Sequence, residues 1–343
     1  MIVAHFCAAV RTAVGGWMAA HTEAEVLTML EDPAALGERI VPLIEAGLAS
    51  VGSTTLASVI EYAWSAPNVH LQAVFEPDDL PDTPVAFAPV PLCSGTLRAM
   101  VTAVAAFAAL GSATVSYGSE NDGDLFVNLV VIPGKGDIPQ KSTKSMSGHT
   151  DGVSFPVRGQ SDPDDARIAP SPDFVGLCCL RNPNSVPTNV MPLEAVLNGM
   201  PSNLVDELRK PHYWITSQRT FEAGMQRILG DELVLDDARL LFRVENADWI
   251  RYSHSNTGPV DEGSLSHEAI QAFQTACTQC VQGIALSPGD IVLVNNRIAL
   301  HGRSQVGSEY GGQTRWLLRT YGLDTSSLTA EQRYPDSPFK LFP

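Results

Sequence analysis

The sequence is short of positive charge. Lys and Arg number 22 against 38 Asp and Glu, which gives a formal net charge of −16 and a pI near 4.8. A nucleic-acid backbone is gripped by a basic footprint, so that class of partner is not expected. Long apolar runs are also missing. The most apolar stretch, residues 101–110, lies between Arg98 and Gly111 and reads as a buried helix, well under the ~20 residues of a membrane span. Residues 1–10 are mildly apolar, but the first base, Arg11, follows them and no small-residue cleavage site appears, so no export signal is expected. Cysteine is sparse: six residues without a framework suggest reduced thiols and a cytoplasmic location. Cys178 and Cys179 are adjacent, and in a strand they point to opposite faces. Cys277 and Cys280 form a CxxC with no second pair to complete a zinc site, and read as helix packing. Internal repeats and low-complexity tracts are lacking. What is present is a core-burying composition, 44% hydrophobic and 17% charged.

The first hundred or so residues have helical periodicity, over 22–48, 53–64 and 91–110. Beyond Gly111 the period changes. Residues 114–117, 125–132, 174–181, 240–244, 291–294 and 316–321 are short runs of Val, Leu, Phe and Tyr bounded by Gly, Pro and Asn, which predicts a mostly antiparallel β region. Residues 158–173, rich in Asp and Pro, read as a solvated loop. Residues 192–236 predict two short helices, 194–198 and 203–209, followed by a long connection; 269–283 predicts a further helix. Residues 252–263 read as a loop with Gly258 and Gly263 as hinges, long enough for a lid. The expected fold is mostly β with flanking helices around a jelly roll. It forms a single domain over 1–343, with residues 1–111 as a helical cover and 192–263 as a helical and lid insertion.

Two of the eight histidines stand in informative company. In Ser147-Gly148-His149-Thr150-Asp151-Gly152 the i, i+2 spacing puts His149 and Asp151 on one face of a strand. Two mixed ligands begin a metal site, and a distant imidazole would complete the two-histidine, one-carboxylate triad of non-haem Fe(II) oxygenases. The second histidine, His301, follows a turn, a buried strand and a polar turn at Asn295 and Asn296. Farther on, in Thr314-Arg315-Trp316-Leu317-Leu318-Arg319, strand parity puts Arg315, Leu317 and Arg319 on one face. Inward guanidiniums require anionic partners, and two small carboxylated ligands are the natural pairing.

HTDG at 149–152, the run from Gly289 through His301 to Ser304, and the two later arginines together resemble the clavaminate synthase-like branch of the Fe(II)/2-oxoglutarate-dependent oxygenases. That branch includes hydroxylases of free amino acids. Residues 174–183 and 186–189 are similar to it as well, and the resemblance covers roughly residues 120–322. It implies a double-stranded β-helix core with His149, Asp151 and His301 holding Fe(II). Arg315 would pair with the distal carboxylate of 2-oxoglutarate, with the Thr188 hydroxyl beside it, and Arg319 would take the α-carboxylate of an amino-acid substrate. Some members carry Glu where Asp151 stands. An Ala or Gly there would suggest halogenation, so Asp151 points to hydroxylation or a related oxidation. The resemblance also implies O2 as the oxidant, with succinate and CO2 released.

Each residue also has an ordinary reading. His149 alone fits a strand-end histidine, Arg319 a structural ion pair and Thr188 a plain strand threonine; Arg181 and Arg303 fit structural salt bridges. His212 and His267 fit the surface, and His254 falls in the expected lid. A basic substrate needs carboxylates, for which Glu120, Asp124, Glu245 and Asp248 are the candidates. L-lysine is the first expectation for the substrate and L-arginine the second. The alternatives are the same chemistry on a carrier-bound or modified amino acid, and a metal-free binding protein on the same scaffold. No membrane or protein partner is expected, and nothing in the residues speaks to oligomeric state.

Overall fold

The structure, a computed structural model, describes residues 1–136, 142–231, 233–244 and 247–343. The chain opens with helices α1 (Ile2–Ala19), α2 (Glu23–Leu30), α3 (Pro33–Ser50) and α4 (Leu56–Ser65). The single helical span expected over 22–48 is broken in two by local chemistry. Asp32 accepts from the Ala35 amide as an N-cap, and Pro33 fills the first helical position, where no N–H is needed. Strand β1 (Asn68–Leu71) and helix α5 (Ser94–Ala109) follow, then β2 (Ala113–Tyr117), β3 (Val127–Leu129), β4 (Met146–His149), β5 (Phe174–Arg181) and β6 (Thr188–Pro192). Helices α6 (Leu193–Asn198) and α7 (Ser202–Glu207) lead to β7 (Tyr213–Thr216), α8 (Arg219–Leu229), β8 (Val234–Ala238), β9 (Leu241–Val244), β10 (Ala247–Ile250) and β11 (Thr257–Pro259). The chain ends with α9 (Leu265–Gln279), β12 (Gln282–Ile284), β13 (Ile291–Asn295), β14 (Ala299–Arg303), β15 (Trp316–Leu323) and β16 (Lys340–Leu341).

Two sheets dominate. The larger runs β1-β13-β5-β15-β2-β16 with β3 also on β15, and the smaller runs β12-β6-β14-β4. Alternation along the strands divides the core into layers. Val175, Leu177, Cys179, Val292, Leu317 and Tyr321 of the large sheet meet Val190 and Ala299 of the small one. The opposite face of the large sheet, with Phe174, Cys178, Leu293 and Leu318, packs on α1, α3 and α5. Phe107 of α5 lies against Gly176 and Gly322, where any side chain would collide with its ring. Cys178 and Cys179 do face opposite ways, one toward each core. Leu300 and Met191 on the outer face of the small sheet pack against α6, α7 and α9.

Among the described residues α1 is the one helix long and apolar enough to cross a membrane. Its Phe6, Val10, Val14 and Trp17 are buried in the helical cover. All six cysteines are free thiols, including Cys277 and Cys280 near the end of α9.

Three expectations are corrected. The long connection after residue 209 contains β7, α8 and β8. Helix α8 buries only Phe221, Gly224 and Met225, so its apolar signal is weak. The 252–263 segment is stitched down: β11 pairs with β7, Ser253 bridges to His149, and Gly258 seats the Trp214 ring rather than serving as a hinge. The 158–173 loop lacks helix and strand as expected, yet Ile168, Ala169 and Asp173 are buried and it is not wholly solvated.

Gly224 lies against the Ser119 backbone, and a Cβ there would drive into the Ser119 carbonyl. Gly224→Ala is expected to cost about 1–3 kcal/mol of stability through overpacking. Denaturant unfolding would show it as a lower midpoint at unchanged slope, and an unaltered midpoint would contradict this packing.

Candidate metal and anion site

β14 runs between β4 and β6, and His301 lies opposite both His149 and Val190 in register. Residues paired across an antiparallel ladder project to the same face. The two imidazole centroids are accordingly 4.3 Å apart. Asp151 sits just beyond the end of β4, with Oδ1 at 3.4 Å from His149 Nε2 and 3.8 Å from His301 Nε2. These three residues, exposed by 7%, 5% and 7% in chain order, are the one cluster among the described residues able to hold a metal ion. His149 Nδ1 lies 3.0 Å from the Ser147 carbonyl, which can only accept. Nδ1 therefore carries a hydrogen, which leaves Nε2, the atom facing Asp151, as the one that would meet a metal. Burial, reinforced by neighbouring His149, pulls His301 down to about 3, so at neutral pH it is the uncharged ligand form. Burial opposes ionisation of Asp151, but the His301, His149 and Arg319 groups together hold its carboxyl well below the usual range.

The second half of the site comes from β15. Arg319 opposes Leu177 on β5 and shares its inward face, and Arg315 lies just before the strand on the same parity. Arg319 Nη2 reaches Glu120 Oε2 at 2.6 Å, and its Nη1 lies 3.8 Å from Asp151 Oδ2. The Tyr321 hydroxyl donates to Glu120 Oε2 at 3.0 Å, and the Arg319 guanidinium stacks over the Tyr321 ring. Burial is the main influence depressing Arg319, yet Glu120 and its other neighbours outweigh it and hold the guanidinium firmly protonated. Arg315 is buried beside Cys179 with no carboxylate within 4 Å among the described residues, and burial pulls it down to about 10.

Several buried polar atoms here have no hydrogen-bond partner: Glu120 Oε1, Asp151 Oδ2, His301 Nδ1, Arg315 Nε and Arg319 Nε. An unsatisfied buried group costs about 1–3 kcal/mol, so such a concentration marks a place built for a ligand. The imidazoles and Asp151 are donors a cation takes, and guanidiniums are the partners anions take. The donor set of two imidazoles and one carboxylate suits iron.

The structure thus brings together His149, Asp151, His301, Arg319 and Glu120. Thr188 is buried opposite Arg303 and shares the strand parity of Val190, which opposes His301. Two expected carboxylates do not join them. Asp124 is exposed on the turn after Glu120, and Asp248 belongs to the β9–β10 hairpin, where Arg209 and Arg243 hold it at 2.8 and 3.3 Å. Glu245 lies outside the described residues. Arg181, expected in a salt bridge, donates to carbonyls of residues 80–81. Arg303 donates to the carbonyls of Ser142 and Lys144. His212 pairs with Glu207, and His254 is exposed.

Sequence reasoning passed over Tyr321, although its parity with Arg319 was readable. It also missed Gln218 at the start of α8. The Gln218 side chain accepts from the Gly152 and Val153 amides and donates to the Thr150 carbonyl, and no local pattern announces that.

The family model described as taurine catabolism dioxygenase TauD, TfdA family matches residues 98–321. That is well over half of the chain, and the chain belongs to this family. It is 24% identical over 225 residues to enduracididine beta-hydroxylase of Streptomyces hygroscopicus, a match covering 60% of this chain and 61% of that protein. L-lysine 3-hydroxylase of Catenulispora acidiphila is 25% identical over 292 residues, covering 80% of this chain and 72% of the relative. The fold is similar to that of asparagine oxygenase solved with Fe(II), 2S,3S-3-hydroxyasparagine and succinate. There the TM-score is 0.73 at 21% identity, over 93% of this chain and 95% of that one.

Proposed function

We propose that the protein is an Fe(II)/2-oxoglutarate-dependent dioxygenase that hydroxylates an aliphatic carbon of a free L-amino acid. The observation that carries this is the Glu120–Arg319 pair beside the His149, Asp151 and His301 cluster. Glu120 Oε1 and Arg319 Nε each lack a hydrogen-bond partner, and a carboxylate and a guanidinium are the group types that complement an α-ammonium and an α-carboxylate. In this reading the two facing sheets are a double-stranded β-helix, and His149, Asp151 and His301 hold the iron. Iron held there would supply the activation of O2 that an organic side chain cannot. The overall change is balanced: R–H, O2 and 2-oxoglutarate give R–OH, succinate and CO2.

The chain's own residues position the reactants. Arg315, otherwise an unneutralised buried charge, takes the distal carboxylate of 2-oxoglutarate, with Thr188 beside it. Arg319 orients the amino acid by its α-carboxylate, and Glu120 receives the ammonium. L-lysine is the first substrate in this reading, in keeping with one relative's name, and L-arginine the second. Asp124 and Asp248 have no part in it.

The test is reconstitution with Fe(II) and 2-oxoglutarate under anaerobic conditions, then air with each of the twenty amino acids, following succinate and a +16 Da product by mass spectrometry. The expected result is a +16 Da product with a basic amino acid that disappears in Arg319→Ala. Succinate without such a product for any free amino acid would instead direct the search to carrier-bound or modified substrates. No succinate from iron-loaded protein would overturn the dioxygenase reading.

A further inference from the structure

Asp151 lies two residues past the point where β4 ends at His149, so no strand holds its backbone. Asn296 does so instead. Its Oδ1 accepts from the Asp151 amide at 2.9 Å, and its Nδ2 donates to the Asp151 carbonyl at 3.0 Å and to the Pro172 carbonyl at 2.9 Å. Only this orientation of the side-chain amide satisfies all three bonds, because one partner donates and two accept. Asn296 is 1% exposed, and its backbone amide is engaged by the Asp173 carbonyl, so the clasp has no solvent competitor. The side chain takes the place of a neighbouring strand, binding N–H and C=O of one residue as a ladder would.

Asn296 also occupies the turn between β13 and β14, and β14 carries His301. The clasp therefore ties the Asp151 backbone to the hairpin that delivers His301, across 145 residues of sequence. Arg297, the next residue, is buried against Asp173 and Ser171 and anchors the turn.

We propose that Asn296 is a positioning residue for the metal: it sets the backbone of Asp151, and so the direction of its carboxylate, before any ion arrives. This rests on His149, Asp151 and His301 being the metal ligands. Pre-set ligands bind a cation without an ordering cost, and loss of the groups that orient them typically weakens metal binding 10–100-fold.

The experiment compares Asn296→Ala with Asn295→Ala. Asn295, the last residue of β13 and next to Asn296, donates from its side chain to the Trp64 carbonyl and accepts from the Arg297 amide, and none of these partners is a residue of the site. Fe(II) dissociation constants are measured anaerobically by chelator competition, alongside melting temperature and the visible charge-transfer band of the iron–2-oxoglutarate complex. The expected result is a 10–100-fold weaker Fe(II) complex with an altered band in Asn296→Ala. Asn295→Ala should stay within about threefold of wild type at a similar thermal loss, because its bonds are structural alone. A folded Asn296→Ala with wild-type affinity would overturn the proposal.

Should Asn296→Ala fail to fold, amide hydrogen exchange of metal-free wild type decides. The Asp151 N–H should be protected there, and exchange as fast as in an open loop overturns the clasp. Wild type that takes up no Fe(II) while its Asp151 amide is protected would overturn the metal reading and leave the clasp standing.

Discussion

Asp151→Ala is expected to lower Fe(II)-dependent succinate formation by on the order of 10³-fold or more. A metal's contribution to a reaction of this kind is several kcal/mol, and each ~1.4 kcal/mol is a factor of ten in rate. Asp151 supplies the only negative charge among the three clustered residues that could hold the metal, and both imidazole Nε2 atoms converge on its Oδ1. Only the two imidazoles remain after the change. The fold should survive, since Arg319 keeps its 2.6 Å contact with Glu120 and the clasp from Asn296 acts on the backbone, which Ala retains. Asp151→Glu keeps the charge but carries it one methylene farther, and should give an intermediate loss. The deciding measurements are iron content after anaerobic loading and succinate per iron, with circular dichroism to show that the variants fold. Asp151→Ala turning over within tenfold of wild type would remove the carboxylate from the metal site.

The second large effect belongs to Arg315, and it has two parts of opposite sign. In the free protein the guanidinium is buried with Nε unpaired and no carboxylate within 4 Å among the described residues. Removing an uncompensated buried charge is neutral or stabilising, so Arg315→Ala should not lower the melting temperature of the ligand-free protein through lost electrostatics. Binding of 2-oxoglutarate should suffer heavily. Truncating one member of a buried charged pair costs about 2–5 kcal/mol, which corresponds to a KM for 2-oxoglutarate raised roughly 30-fold to several thousand-fold. Arg315→Lys restores charge without the planar two-pronged donor and should fall between. Thermal shift on adding 2-oxoglutarate to the iron-loaded protein gives an independent reading: the stabilisation seen in wild type should vanish in the Ala variant. A KM within threefold of wild type in folded Arg315→Ala would dissociate this residue from the co-substrate.

What the sequence determined by itself is the local part of the site. Strand parity is a property of two-residue spacing, so His149 with Asp151, and Arg315 with Leu317 and Arg319, could be paired before any tertiary contact was known. The buried runs of β5, β13 and β15 are legible for the same reason, as is α5, whose apolar residues cover nearly its whole circumference. Elements with a thin apolar signal were not legible: α8 buries one narrow stripe, and β7 is a four-residue strand whose partners lie elsewhere in the chain.

Tertiary structure alone decided which charges meet. Glu120, Asp124 and Asp248 are equivalent as letters. The fold sets Glu120 against Arg319, leaves Asp124 exposed and gives Asp248 to two surface arginines. The same holds for Asn296, which reads as a turn residue and becomes the partner of Asp151 only when the β13–β14 turn closes on the end of β4. Periodicity specifies the face on which a side chain lies, because it follows from backbone geometry a few residues long. The opposing side chain is set by packing between segments more than a hundred residues apart, and no local spacing encodes it.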